Sequence, residues 1–297
     1  MKFLVFGSVN IDHVYRLNHI VRGGETVSAR QHEAIAGGKG LNQAIALARA
    51  GCPTWFAGAM GEDGRFLKEL MGETGIHTSL LRELPGPSGH AIIQVDDNGQ
   101  NAIIVYGGAN HQITPAMIDE TLERFEAGDW LLMQNEISCG EYLLRRAAQR
   151  GLHTALNPSP EPGQLKKWPL QEAEWLLLNE IEGEELSGEK EPERMLRALL
   201  ARCPNSHLVL TLGENGAHYA DRAQHVCQSA FPVRAVDTTA AGDTFTGYFL
   251  SAIAEGKSAA AALKLAAAAA AIAVTRPGAA PSIPRLSEVT VFITKLA

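Results

Sequence analysis

Short runs of apolar residues alternate along the chain with segments in which apolar residues recur every three or four positions. The runs have the length of buried strands, and the segments between them have the period of amphipathic helices. The predicted strands cover residues 2–7, 54–59, 130–134, 153–157, 175–179 and 208–212. Alternation of this kind indicates an α/β protein in which helices cover both faces of a mainly parallel sheet.

Two regions interrupt the alternation and predict a second, smaller sheet. Residues 90–96 and 101–106 flank the turn sequence Asp97-Asn98-Gly99, which is typical of a β-hairpin. Residues 12–17 and 26–36 also look extended, with mixed polar and apolar side chains. The chain shows no internal repeat and no clean boundary, so we expect a single domain over residues 1–297.

The longest apolar stretch runs from residue 259 to residue 274 and consists mainly of alanine. Lys264 interrupts it, and alanine is only weakly hydrophobic, so the stretch predicts a buried helix rather than a membrane span. The first seven residues are too short for a signal peptide and predict a strand. We therefore expect no membrane partner.

Charge and cysteine content narrow the classes of function. The chain has 26 basic and 33 acidic residues, a net charge of −7 and no basic stripe, which disfavours nucleic acid as a partner. The four cysteines form no CxxC pair and the ten histidines show no ligand spacing, which disfavours a disulfide framework and a zinc site. Reduced thiols are typical of the cytoplasm, the location that we expect.

The stretch 237–247, DTTAAGDTFTG, places the carboxylate of Asp243 at the predicted start of a helix. The helix is indicated by apolar residues at helical spacing, and Gly256 can end it. Those apolar residues are Phe245, Phe249, Ala252 and Ile253. Small residues let backbone amides approach an anion, and the first turn of a helix favours negative charge.

This arrangement suits phosphoryl transfer without a covalent intermediate. Asp243 can take a proton from a hydroxyl while the amides of Ala240, Ala241 and Gly242 form an anion hole for the phosphoryl group. The alternative is an ordinary helix start whose acidic residue interacts with the helix dipole.

Further polar residues follow predicted strands, where ligands of open α/β sheets bind. Asn10 and Asp12 follow the first strand and suit neighbouring sugar hydroxyls, although a turn with local capping explains them too. The stretch 37–40, GGKG, is not a Walker A loop, but Lys39 and the nearby Asn42 can donate to a ligand. Glu136 follows another strand and is either a site residue or a loop charge.

Three later stretches are weaker evidence for a binding site. Residues 179–182, NEIE, follow a predicted strand, and their acidic side chains are typical of the first turn of a helix. Residues 211–216, TLGENG, form a glycine-bounded turn that either contacts a ligand or only joins strands. Residues 273–282 leave the alanine-rich helix, and their prolines prevent a further helical turn.

Residues 237–243 resemble the signature D-T-x-x-A-G-D of the PfkB (ribokinase-like) carbohydrate kinases, and residues 37–42 resemble the family's first signature, G-G-x-x-x-N. The resemblance runs from Gly7 to Ser282 and is closest to the ribokinase branch. It implies a three-layer α/β/α fold and a β-sheet lid with strands from residues 12–36 and 90–107. It also implies a homodimer formed through the lid.

The resemblance also assigns roles to single residues. Asp243 would be the catalytic base. The sugar would be bound by Asn10, Asp12, Gly38, Lys39, Asn42, Glu136 and Asp243. ATP would be bound by Asn179, Thr211, Gly213, Gly216 and Gly242. Glu182 would bind Mg²⁺ through water, and K⁺ would be bound by Asp237, Thr239, Ala273, Arg276, Gly278 and Ser282.

The function that the resemblance implies is ATP-dependent phosphorylation of a sugar hydroxyl, with D-ribose as the first candidate. Fructose, a deoxy sugar, a nucleoside and tagatose 6-phosphate remain alternatives, as does a non-catalytic sensor of sugar or nucleotide. An NAD-type oxidoreductase is disfavoured because no GxGxxG motif follows the first strand. One departure concerns Ala267, which stands where ribokinases often have an asparagine close to the adenine.

Overall fold

The computed structural model describes residues 1–295. Its strands are β1 Phe3–Phe6, β2 Asn10–Arg16, β3 Gln31–Gly37, β4 Thr54–Met60, β5 His77–Glu83, β6 Gly89–Val95, β7 Asn101–Tyr106, β8 Trp130–Gln134, β9 His153–Asn157, β10 Trp175–Asn179, β11 His207–Thr211, β12 Ala217–Ala220 and β13 His225–Gln228. Its α-helices are α1 Lys39–Arg49, α2 Arg65–Glu73, α3 Pro115–Leu122, α4 Gly140–Gln149, α5 Glu180–Ser187, α6 Pro192–Arg202, α7 Ala241–Ala254, α8 Ala259–Ala273 and α9 Leu286–Lys295.

The main sheet has nine strands in the order β13-β12-β11-β10-β9-β8-β1-β4-β5. The pairs from β11 to β5 are parallel, and β12 and β13 add an antiparallel edge. The six predicted strands all lie in this sheet. The edge strands β5 and β13, and β12 beside β13, were not predicted, because they are short or carry mixed polar and apolar residues.

Helices cover both faces of the main sheet. In β1, Phe3 and Val5 face a core that includes residues of α1, α7 and α8, whereas Leu4 and Phe6 face a second core that includes residues of α3 to α6. Both faces are therefore buried, which explains why the strand is apolar throughout. The predicted three-layer α/β/α fold is confirmed.

The second sheet has four strands in the order β3-β2-β6-β7. Its strands come from the segments that the sequence predicted to be extended, although β3 begins at Gln31, later than expected. A small sheet beside the main one is therefore confirmed. Its strand β7 is largely exposed and apolar: Ile104 is 62% exposed, and Ile103, Val105 and Tyr106 exceed half exposure.

The alanine-rich stretch forms α8, and most of its residues are buried. The Ser258 side chain caps this helix by accepting from the Ala261 amide, 3.3 Å away. Lys264 lies on the exposed side. Nowhere in residues 1–295 does a helix combine the length and the apolar character that crossing a bilayer requires.

Candidate active site

Asp243 lies in the first turn of α7 and is only 7% exposed. Ala240, just before the helix, has a left-handed backbone conformation with φ of 59°, which turns the chain into α7. Helix α7 approaches α1 closely at Gly247, which has no side chain. A Cβ at this position would lie 2.4 Å from the Ala46 Cβ, which is too close for any other residue. This approach places the amino end of α1 beside Asp243.

Two amide side chains of α1 hold the Asp243 carboxylate. Asn42 Nδ2 donates to one oxygen at 3.2 Å, and Gln43 Nε2 donates to the other at 2.9 Å. Each oxygen has a further lone pair, so the carboxylate can still accept a proton from a substrate hydroxyl. The Asn42 Oδ1 atom is buried without a hydrogen-bond partner, which leaves an acceptor free beside the same group.

The turn before α7 presents backbone amides. The Ala241 amide donates to the Thr238 carbonyl at 3.2 Å, so that amide already has a partner within the turn. Gly242 belongs to the first turn of α7, where backbone amides have no acceptor within the helix. An anion at this turn would therefore meet an amide of Gly242 and the positive end of the helix dipole.

The residues assigned to the sugar lie where the second sheet meets the main one. Asn10 and Asp12 lie in the first half of β2. Asp12 packs directly over Gly37, because a Cβ on Gly37 would lie 2.0 Å from the Asp12 carboxylate. The Asn10 Oδ1 atom accepts from Asn110 at 2.8 Å. Glu136 accepts from the Ser8 hydroxyl and, at 3.0 Å, from the amide of Lys39. These contacts fix the orientation of several polar side chains before any ligand binds.

The charged groups assigned to the sugar site shift one another's pKa values. Burial, and then the charge of Glu136, raises the pKa of Asp12 to about 7. Burial also raises the pKa of Glu136, although the Ser8 hydroxyl and Lys39 act in the opposite direction. Burial lowers the pKa of Lys39, but the carboxylates of Asp243, Glu136 and Glu182 outweigh it and raise that pKa overall. Lys39 therefore stays protonated between the carboxylates.

Asp243 also lines a cavity of about 440 Å³. Lys39 and Asp243 line it together with residues from the ends of β10 and β11 and from the turn before α7. The residues assigned to ATP that line the cavity are Asn179, Thr211, Gly213 and Gly242. Gly216 instead packs against the Gln228 carbonyl at the end of β13, and Ala267 is buried in α8.

Glu182 lines the same cavity and is 4% exposed. It forms a capping box with Asn179: Glu182 accepts from the Asn179 amide at 3.0 Å, and the Glu182 amide donates to the Asn179 side chain at 2.9 Å. The structure is thus compatible both with a helix cap and with a metal-binding role for Glu182, since a capping carboxylate keeps lone pairs for water. Oxygen donors of this kind fit Mg²⁺ bound through water.

The turn before α7 is tied to the loop after α8. Asp237 accepts from the Thr239 amide at 2.9 Å, from the Thr239 hydroxyl at 2.6 Å and from the Gly278 amide at 2.8 Å. Burial alone would raise the pKa of Asp237, but these hydrogen bonds lower it overall. The structure thus brings together Asp237, Thr239 and Gly278.

The other residues assigned to K⁺ have local partners. The Arg276 guanidinium pairs with Glu288, and the Arg276 amide donates to the Ala273 carbonyl at 3.0 Å. The Ser282 hydroxyl donates to the Ala279 carbonyl at 2.7 Å. These residues can therefore contribute only backbone carbonyls or remaining lone pairs, which is the neutral donor set that suits K⁺.

The sequence profile of the pfkB family of carbohydrate kinases matches residues 2–286. The chain belongs to this family. It is 33% identical to the ribokinase of Haemophilus influenzae over 298 residues, which covers 97% of each chain. The resemblance to the family that the two signatures indicated is therefore confirmed.

Solved structures of other family members superpose closely. The ribokinase of Thermotoga maritima is 34% identical, with a TM-score of 0.88 and 99% of each chain covered. The ribokinase of Arabidopsis thaliana in complex with ribose and ATP is 31% identical, with a TM-score of 0.85 and 98% of each chain covered. The chain is thus similar to these enzymes over its whole length.

Four polar residues of this pfkB-family site were not singled out by sequence: Ser8, Gln43, Gln134 and Asn157. Gln134 donates to Gln43 at 2.6 Å, and Gln43 donates to both Asp243 and Asn157, the latter at 3.1 Å. Asn157 in turn lies 3.5 Å from a Glu182 oxygen. This chain of hydrogen bonds links the candidate base to the candidate metal residue. Its sequence signal was slight: Gln43 follows Asn42, and Asn157 ends a predicted strand.

Proposed function

We propose that this carbohydrate kinase transfers the γ-phosphoryl group of ATP to D-ribose and forms D-ribose 5-phosphate. The observation that carries the proposal is the position of Asp243. It accepts from Asn42 and Gln43 of α1, the helix that directly follows β3 of the second sheet, and it lines the cavity at the ends of β10 and β11. The choice of ribose and ATP is supported by the ribokinases to which the chain is similar.

In this mechanism, Asp243 takes the proton of the primary hydroxyl as the oxygen attacks the γ-phosphorus atom. The bond from this phosphorus to the oxygen that bridges it to the β-phosphate breaks, and ADP leaves. Asn42 and Gln43 hold the carboxylate in place, so little reorganisation is needed during transfer. The Gly242 amide and the charge of Lys39 stabilise the transferred group. Mg²⁺, held through water by Glu182, would offset the charge of the nucleotide phosphates.

A panel of acceptors tests the assignment. ATP consumption would be measured with D-ribose, 2-deoxyribose, D-fructose, a nucleoside and tagatose 6-phosphate, and the product of the best acceptor identified by ³¹P and ¹³C NMR. Ribose should give the highest kcat/KM and a 5-phosphate. A different best acceptor would replace ribose but keep the kinase assignment. Binding without turnover of any acceptor would favour the non-catalytic sensor.

K⁺ should activate the enzyme through Asp237 and the loop after α8. An ion held by this loop would order the turn that presents the Gly242 amide, because Asp237 links the two segments. At equal ionic strength, we expect the rate in potassium chloride to exceed that in tetramethylammonium chloride by about 5-fold or more, the lower end of typical coupling between two sites. Sodium should substitute poorly.

The Asp237→Asn variant completes this test. It should reduce the difference between the rates in potassium chloride and in tetramethylammonium chloride, because it removes the only carboxylate of the proposed donor set. Equal wild-type rates in all three salts would remove the K⁺ site from the proposal. The kinase assignment would stand, since it rests on Asp243.

A homodimer formed through the second sheet is the assembly that we propose. The exposed apolar residues of β7 project from both faces of this sheet, Ile104 and Tyr106 from one face and Ile103 and Val105 from the other. Exposed apolar side chains on an edge strand mark a contact surface. Ile104→Glu should therefore convert a dimer to a monomer in sedimentation or light-scattering measurements. Val291→Glu is the matched control, since Val291 is 53% exposed on α9. A wild-type monomer, or an Ile104→Glu dimer, would contradict the proposal.

We place the enzyme in the cytoplasm and expect its ligands to be a small sugar and ATP. All four cysteines are free thiols, which suits a reducing compartment. Nucleic acid and membranes are not expected as partners, for the reasons of charge and composition given above.

A further inference from the structure

Two histidines and one cysteine converge on the edge hairpin β12–β13, away from the cavity beside Asp243. His218 lies on β12, and His225 and Cys227 lie on β13. Their ligand atoms all lie within 4.8 Å of one another. His225 and Cys227 are exposed and His218 is half-buried, so an ion from solvent can reach all three.

The strand register explains the convergence. His218 pairs directly with Cys227 across the hairpin, and His225 lies two residues from Cys227 on the same face of β13. In the sequence these residues lack the spacing of known zinc motifs, because the site is assembled by cross-strand pairing. Only the fold brings the three side chains together.

Two of the three distances match those between ligands of one tetrahedral metal ion. His218 Nδ1 lies 3.3 Å from His225 Nε2, and Cys227 Sγ lies 3.7 Å from the same nitrogen. Nitrogen and sulfur ligands bind Zn²⁺ at about 2.0–2.1 Å and about 2.3 Å, so at tetrahedral angles they stand about 3.4 Å (N to N) and about 3.6 Å (N to S) apart. These two distances are therefore those of a ligand set, and the ligand atoms of the remaining pair, His218 and Cys227, lie within 4.8 Å of each other.

Hydrogen bonding alone accounts less well for this arrangement. A ring nitrogen either carries one hydrogen or offers one lone pair, so His225 Nε2 can form one good hydrogen bond, not two. A metal ion at the common centre satisfies all three atoms at once.

We propose that His218, His225 and Cys227 form a Zn²⁺ site with one open coordination position. Two imidazoles and a thiolate are a ligand set that Zn²⁺ prefers over the oxygen ligands that Mg²⁺ requires. Glu193 lines the same surface depression as His218, and its carboxylate favours a cation there. Arg194 and Arg197 line the same surface depression as His218 and would favour water or an anion as the fourth ligand.

Binding would be measured by titrating the full chain with Zn²⁺ in excess Mg²⁺, without nucleotide or phosphate. One equivalent of Zn²⁺ should bind. Cys227→Ser and His225→Gln should each weaken binding by about 100-fold or more, since even outer-sphere partners of a metal site are worth about 10- to 100-fold. The matched controls are His77→Gln, at the opposite edge of the same sheet, and Cys52→Ser; both should bind Zn²⁺ as the wild type does.

Co²⁺ gives a second readout that does not depend on enzyme activity. It should show the ligand-field bands of a tetrahedral site and a sulfur-to-cobalt charge-transfer band, which should be lost in Cys227→Ser. The proposal is overturned if the wild type binds no Zn²⁺, or if Cys227→Ser binds it unchanged. Binding that is lost only in His32→Gln would place the ion on the second sheet, where His13 and His32 lie 3.1 Å apart, and would also overturn it.

Discussion

Asp243→Asn should fold and bind sugar but lose about 10²- to 10⁴-fold in kcat, the usual contribution of a general base. The amide cannot take the proton of the attacking hydroxyl. The fold should tolerate the change because Asn42 can turn its side chain and present its unpaired Oδ1 to the new amide. Steady-state kinetics with the best sugar, together with calorimetric binding of that sugar, would measure both effects.

The matched control for Asp243→Asn is Glu141→Gln. Glu141 is the acidic residue in the first turn of α4, so this variant also removes one negative charge from the start of a helix. It should keep the wild-type kcat. If Asp243→Asn also kept it, Asp243 would not be the base, and the acidic helix start would be only a favourable interaction with the dipole.

Asp12→Ala should weaken sugar binding by about 10- to 150-fold, which corresponds to about 1.5–3 kcal/mol for hydrogen bonds to a charged group. ATP binding should change little, because Asp12 lies on β2 and does not line the cavity beside Asp243. Calorimetry with each ligand separately would measure the difference. Asp97→Ala is the matched control, since Asp97 is an exposed acid of the same small sheet's hairpin. Equal losses for both ligands would indicate a structural role for Asp12.

Sugar binding should also depend on pH through Asp12. Because its pKa is raised to about 7, lowering the pH from 8 to 6 protonates the carboxyl and removes an acceptor, so affinity should fall. The free energy of unfolding should instead rise as the pH is lowered from 8 to 6. The pKa of Asp12 is higher in the folded than in the unfolded protein, so protonation favours the folded state. Asp12→Asn should remove this part of both dependences. Glu136, whose pKa is also raised, and His13, whose pKa is lowered mainly by burial, would contribute to the dependence that remains.

The layers of the fold were predictable from sequence because buried parallel strands are apolar throughout. The strand 130–134 is fully buried, and its sequence, WLLMQ, indicated this directly. The edge strand β13 has alternating exposed and half-buried residues and only four positions, which gives too short a pattern to identify. The predicted start of β3 was too early because residues 26–30 have a similar mixture of polar and apolar side chains.

The candidate site was predictable only where its residues belong to a glycine-rich motif. Asp243 and Asn42 lie in glycine-rich stretches, and the structure joins them at 3.2 Å. Gln43 and Asn157 are common residue types in ordinary positions, and their importance comes from a contact across 114 residues of sequence. Sequence patterns contain no information on such pairings, because these depend on how α1 packs against the ends of the strands.

The hydrogen-bonded chain from Gln134 through Gln43 and Asn157 has a consequence for how this site can be dissected or redesigned. A change at Gln43 alters the partners of Asp243, Asn157 and Gln134 together. The effects of single substitutions along the chain therefore cannot be summed, and alanine scanning would count the same loss several times. Double-mutant cycles are needed to apportion it, and a redesign of acceptor specificity would have to exchange these amides as a set.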